Sequence, residues 1–192
     1  MNMSSSPQLV WLVATVSWLP DTTPGIKPVT PVWLDENNCS NSTYAIPAGP
    51  TNRVWTWTST IAGRVVTAGG HVHDGGVETI LTDQTSGQHL CTSQAGYATL
   101  PAYMGSVESM TTCSHDRLGT VRAGDLLALD TFYNSPTAKT DVMGIMIAYV
   151  YQTNDLTEGT EDPAAMGPAS PPGTPPGGMN GMGGMGGMGG MG

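Results

Sequence analysis

The sequence predicts an all-β fold, a sandwich or barrel of short strands, followed by a disordered Gly/Pro/Met-rich C-terminal tail. Three observations predict it. Arg53-Val54-Trp55-Thr56-Trp57-Thr58 alternates as a half-buried strand does, with Trp55 and Trp57 in phase between threonines. Turn signals rich in Gly, Pro, Asn and Asp recur at close intervals. No stretch carries a 3.6-residue apolar period with helix caps.

The elements follow in order. Leu9 to Leu19 is an apolar run rich in Val and Trp, read as a buried first strand. No Lys or Arg precedes it and no small-x-small site follows it before Pro20, so it does not read as a signal peptide. It is also shorter than the roughly 20 apolar residues of a membrane span. The chain therefore reads as a fragment, or as one with a misplaced start. Prolines 20, 24, 28 and 31 make an extended connection to the short apolar segment Val32-Trp33-Leu34. A polar loop runs from Asp35 to Thr43, and Pro47-Ala48-Gly49-Pro50 marks a turn. Arg64 to Val72 continues as a strand. Val77 to Thr82 is the next, expected to form a hairpin with it across Gly75-Gly76. Val121 to Asp125 turns into Leu126 to Tyr133, which Asn134-Ser135-Pro136 ends. Met143 to Tyr151 is apolar on both faces and predicts a central, doubly covered strand. Beyond Asn154 the chain becomes Pro/Gly/Ser/Thr-rich and then repeats Met-Gly-Gly, which cannot bury a core. The expected organisation is a folded domain over 8–153 and a disordered tail over 154–192.

Composition narrows the function. Charged residues are 11% of the chain, against about 25% in ordinary soluble domains. Six Lys+Arg against fifteen Asp+Glu give a net charge of −9, which excludes an electrostatic footprint for nucleic acid or an anionic membrane. Three cysteines fit one disulfide and one leftover thiol in a secreted protein. The sequons at Asn2, Asn38 and Asn41 point the same way, with Asn38 and Asn41 as glycosylation candidates.

The chemistry concentrates in Gly69-Gly70-His71-Val72-His73-Asp74-Gly75-Gly76. On a strand, residues i and i+2 project from one face roughly 6.5–7 Å apart, so both imidazoles can lean toward one ion. The flanking glycines suggest close backbone approach or a bulge. Three residues could supply a third ligand. Met143 offers a thioether, a soft donor that selects copper. Glu78 completes the His-x-His-x4-Glu spacing of the first cupin motif, although Val65 stands where a glycine precedes the first His, the glycine after Glu78 is displaced, and no second motif is found at His89 or His115. His115 and His89 themselves read as surface residues. Gly-x-Ser-x-Gly, phosphate-cradling and CxxC patterns are absent.

Taken together, Pro31 to Asp35, Gly70 to Gly76, Cys91, Cys113, Gly124-Asp125 and Met143 to Met146 carry a resemblance. Over about 30–151 the chain resembles the C-terminal domain of the copper type II, ascorbate-dependent monooxygenases. It is most similar to single-domain fungal secreted relatives of that domain. The resemblance implies a jelly-roll-like antiparallel sandwich, a copper site of His71, His73 and Met143, and a Cys91–Cys113 disulfide that leaves Cys39 over. The monooxygenases pair this domain with another that carries three histidines and a second copper. Nothing here matches that domain, and the loop Asn134 to Thr140 holds no histidine.

The sequence thus supports a secreted protein binding copper through two His and one Met, for redox chemistry or copper handling, with its status as an enzyme open. A small-molecule reductant or oxygen would meet the metal, and self-association or cell-wall contact is the expected macromolecular partner. The alternatives are a cell-surface glycoprotein with a vestigial site and a cupin-like Mn or Fe enzyme. The Met-Gly-Gly tail reads as low-complexity drift, or as a Cu(I)-collecting segment.

Overall fold

The computed structural model describes residues 6–9, 11, 13–154 and 156, with backbone alone at 115–117. The repeat tail beyond 156 lies outside the described residues, as does Asn2. Eleven strands form the domain: β1 Thr30–Asp35, β2 Tyr44–Ile46, β3 Gly49–Thr58, β4 Gly63–Val72, β5 Gly76–Asp83, β6 Gln88–Tyr97, β7 Val107–Met110, β8 Thr112–Val121, β9 Leu126–Ser135, β10 Lys139–Val142 and β11 Gly144–Gln152. Pro101–Tyr103 makes a single 3-10 turn.

These strands build an antiparallel β-sandwich. One sheet has the order β1-β11-β4-β8 and the other β3-β9-β5-β6-β7, with β10 and β2 paired at one end. Every ladder is antiparallel. The alternation seen in the sequence is the sandwich seen edge-on: β3 alternates half-buried and exposed residues along its whole length. Between the sheets, Val65, Ala68, Met146, Ala148 and Val150 pack against Leu81, Leu90, Leu127 and Leu129. A smaller cluster of Tyr44, Ile46, Val72, Tyr133 and Val142 fills the end near β2 and β10. Cys91 on β6 and Cys113 on β8 are joined in a disulfide that ties one sheet to the other, and Cys39 is free and exposed.

Three expectations are corrected. Leu9 to Leu19 is not a buried strand: its described residues join no ladder, and Leu9, Trp11, Val13, Val16, Trp18 and Leu19 are 68–83% exposed. The ladders begin at Thr30. β-propensity marks a run that would suit a pleated surface, but it cannot supply the neighbouring strand. Second, β4 and β5 are not a hairpin, because they belong to opposite sheets. The chain crosses from sheet to sheet at His73–Gly76, where Gly75 takes φ +95 and Gly76 closes a turn to His73 O. Third, β11 is central, between β1 and β4, but covered on both faces only in part. On its outer face Ile145 is 5% exposed while Tyr149 is 38% exposed. Among the described residues no helix is long and apolar enough to cross a membrane.

Candidate functional site

The histidine pair closes β4. Val72 between them is 2% exposed and points into the sandwich, so His71 and His73 both project from the outer face. Their ring centroids stand 5.2 Å apart with the planes at 89°. An imidazole nitrogen about 2.0 Å from an ion puts its ring centroid about 3.2 Å out, so two such ligands at a tetrahedral angle have centroids about 5 Å apart. The observed spacing fits that arrangement. The surrounding protein, and then the neighbouring His73, hold the His71 imidazole below its ordinary pKa, which keeps it in the neutral form that ligates metals.

Met143 joins this face through the register of β11. Gly144 pairs with Val72, and Ile145 pairs with His71. A side chain on Gly144 would run into Thr131 and Glu36 inside the sandwich, so Met143, one residue earlier, points outward. Continuing the register past the last ladder pair sets Met143 opposite His73 and diagonal to His71 on the outer face.

One side chain holds the two strand ends together. Tyr133 reaches across from β9 with its hydroxyl between the sheets. The His73 N–H donates to it at 2.9 Å, and it donates to the Met143 carbonyl at 2.5 Å. It takes the place of the next ladder bond, so β4 and β11 separate there by one oxygen atom. Burial pushes the Tyr133 pKa up to about 12, although both backbone hydrogen bonds pull it down. The hydroxyl therefore remains a donor at any ordinary pH. One turn further on, Tyr97 does the same for the corner: it accepts from Gly75 N–H at 2.9 Å and donates to Gly76 O at 2.7 Å. Asp74 accepts from Val107 N–H at 2.8 Å and so fastens the corner to β7.

Beneath the site lies Glu36, whose side chain is fully buried. Its Oε1 accepts from Thr131 at 3.0 Å, and its Oε2 faces Arg53 Nε at 3.7 Å. Desolvation pushes its pKa up to about 7 against the opposing effects of Thr131 and Arg53.

The remaining sequence candidates do not converge here. Glu78 lies on β5 in the opposite sheet and accepts from Gln94 at 3.4 Å. His89 lies on β6 beside Thr92. His115 belongs to β8, and its side chain is outside the described residues. Among the described residues, no three His, Cys, Asp or Glu side chains stand together as a metal site. The cupin-like arrangement is thereby corrected, since its glutamate belongs to the other layer. Asn38 and Asn41 are both exposed in the loop after β1.

The sequence reading missed Tyr133, Tyr97 and Glu36. Tyr133 had one local signal, a polar tip in phase with the inward-facing Leu127, Leu129 and Thr131.

A family model described as Stress up-regulated Nod 19 (SURNod19) matches residues 30–153. The chain belongs to the SURNod19 family. This overturns the resemblance to the copper monooxygenase domain and its single-domain fungal relatives, because the match that spans the sandwich is to a different family. No curated protein and no solved structure matches the chain. The case for a ligand set in this SURNod19 domain therefore rests on geometry alone.

Proposed function

We propose that this SURNod19 domain binds one copper ion through the imidazoles of His71 and His73 and the thioether of Met143. The observation that carries the reading is that all three project from one face at the end of β4 and β11, with the rings 5.2 Å apart. Among the described residues no three His, Cys, Asp or Glu side chains stand together as a metal site, so a thioether is taken as the third donor, and a thioether selects copper over Zn, Mn or Mg. Bound copper would supply one-electron redox chemistry or a site for copper handling. The disulfide and the exposed sequons at Asn38 and Asn41 support a place outside the cell.

X-ray absorption on the Cu(I)-loaded chain tests the ligand set: two nitrogens and one sulfur are expected in the first shell. Met143→Ile keeps an apolar side chain of similar size, and it should weaken Cu(I) by about tenfold or more while changing Cu(II) less. Unchanged Cu(I) affinity in that variant removes Met143 from the site. Failure of the wild-type chain to take up copper would leave a glycoprotein with a vestigial site.

A further inference from the structure

On the other side of Met143 and His71, the outer face of the first sheet sinks into a pocket of about 450 Å³. Trp33, Ile145 and Ile147 wall it, Gly69 and Gly70 give it a floor, and Ser40, Asn41 and Ser42 form its rim. The volume lies in the range of small-molecule sites, about 300–1,000 Å³.

The wall and the rim share one anchor. Asp35 is 0% exposed, and its carboxylate accepts from Asn37 N–H at 2.7 Å, from the Trp33 indole at 3.4 Å and from the Ser42 hydroxyl. Asn37 passes the restraint on, donating to Asn41 Oδ1 at 2.8 Å and to Thr43 O at 3.0 Å. One buried anion therefore fixes the indole and both ends of the arch that bears the rim. Little ordering is left for a ligand to impose, which favours tight binding for its size. Trp33 still leaves 52% of its surface open.

The lining also selects chemistry. No Asp, Glu, Lys or Arg lines it, and His71 is the one titratable side chain among its lining residues. A charged ligand would lose its hydration here without gaining a partner. The isoleucines and Met143 give sugar hydroxyls nothing to bond, whereas the indole face accepts a flat ring. Hydroxyl and amide groups occur only at the rim. The geometry points to a site for a small uncharged planar molecule: an aromatic of one or two rings, stacked on Trp33, with a hydroxyl or methoxyl group at Ser40–Ser42. The pocket shares His71 and Met143 with the copper reading, but none of its contacts needs a metal.

The test uses the metal-free full chain, so that a failed copper site leaves it intact. Calorimetric and NMR titrations compare 4-methoxyphenol with benzoate, a charged ring, and with glucose, a polyhydroxylated non-aromatic. 4-Methoxyphenol should saturate with a Kd of about 1 mM or tighter and shift the amides of Gly69, Gly70 and Ile147. Trp33→Ala and, separately, Ile147→Lys should each weaken it about tenfold or more. No saturable binding, undiminished binding by both variants, or tighter binding of benzoate or glucose overturns the proposal. Binding that weakens as the protein is concentrated overturns it too, since a second copy's Leu9–Leu19 would then be the occupant.

Discussion

Replacing Tyr133 with Phe removes one oxygen atom and leaves a 2%-exposed ring in place. Two backbone groups lose their partner at once, the His73 N–H and the Met143 carbonyl. Each costs about 1–3 kcal/mol if left buried and unpaired. The two groups face each other across the gap the hydroxyl held open, so the strand ends can close and recover about 1 kcal/mol. A net loss of about 2 kcal/mol follows, lowering Tm by roughly 6–10 °C in a domain of this size. Scanning calorimetry near pH 7 measures it. Closure draws Met143 toward His73, so copper affinity should fall as well, read by competition against a copper chelator. Tyr97→Phe is the control. It strips an equivalent hydroxyl from Gly75 and Gly76, so it should cost stability while sparing copper. A Tyr133→Phe melt within about 1 °C of wild type would refute the energetic argument. Equal copper affinities for the two variants would refute the positioning argument.

The buried Glu36 makes stability depend on pH. Its carboxyl titrates at about 7 when folded and near 4.5 when not, so between those values only the native state holds the proton. Its contribution is complete below pH 4.5 and is lost as the pH rises through 7, a loss of about 3 kcal/mol. Urea unfolding at pH 5 and pH 8 should show that loss in wild type, and a much flatter profile in Glu36→Gln. Parallel profiles would exonerate Glu36. Gly70→Ala would put a methyl 2.1 Å from Thr79 Oγ1, at an overpacking cost of about 1–3 kcal/mol. Thr79 Oγ1 is buried without a hydrogen-bond partner, so adding Thr79→Ala should restore much of that stability. Simple additivity of the two in urea unfolding would mean that the clash is not with Thr79.

Where burial alternates along one strand, the sequence reveals it: Arg53 to Thr58 shows the outer layer, and Val72 between two histidines shows which way they point. Pairing is a different matter. Gly75 turns the chain equally well into a hairpin or across to the other sheet, and only the packing of Gly76 on Val72, where a Cβ would stand 2.3 Å from a Val72 methyl, marks a corner. The same limit explains Glu78. Its spacing from His73 suits a cupin, but the corner puts it in the opposite layer. Leu9 to Leu19 has the composition of a strand, and its described residues have no strand beside them. Met143 needed the register of β11 before its direction could be argued. Tyr133 and Glu36 act on residues far away in sequence, which no local pattern encodes. The copper monooxygenase resemblance rested on short motifs, and motifs at strand ends can be shared by chains of different families.

The sheets of a sandwich are ordinarily separated by about 10 Å of interlocked side chains. Under Gly70 that layer is missing. Its N–H donates to Ser93 Oγ at 2.9 Å, and the same hydroxyl donates to Thr111 O at 2.5 Å. The apolar layer encloses a small void of about 10 Å³ among Leu81, Leu90, Leu127 and Val150, whereas contacts already at hydrogen-bond length have little to give up. The molecule should therefore have an uneven compressibility: soft where Leu81, Leu90 and Leu129 fill the gap, hard where β4 rests on β6. Pressure and heat would change the thickness of the leucine end first, and His71 and His73 would keep their height above the opposite sheet.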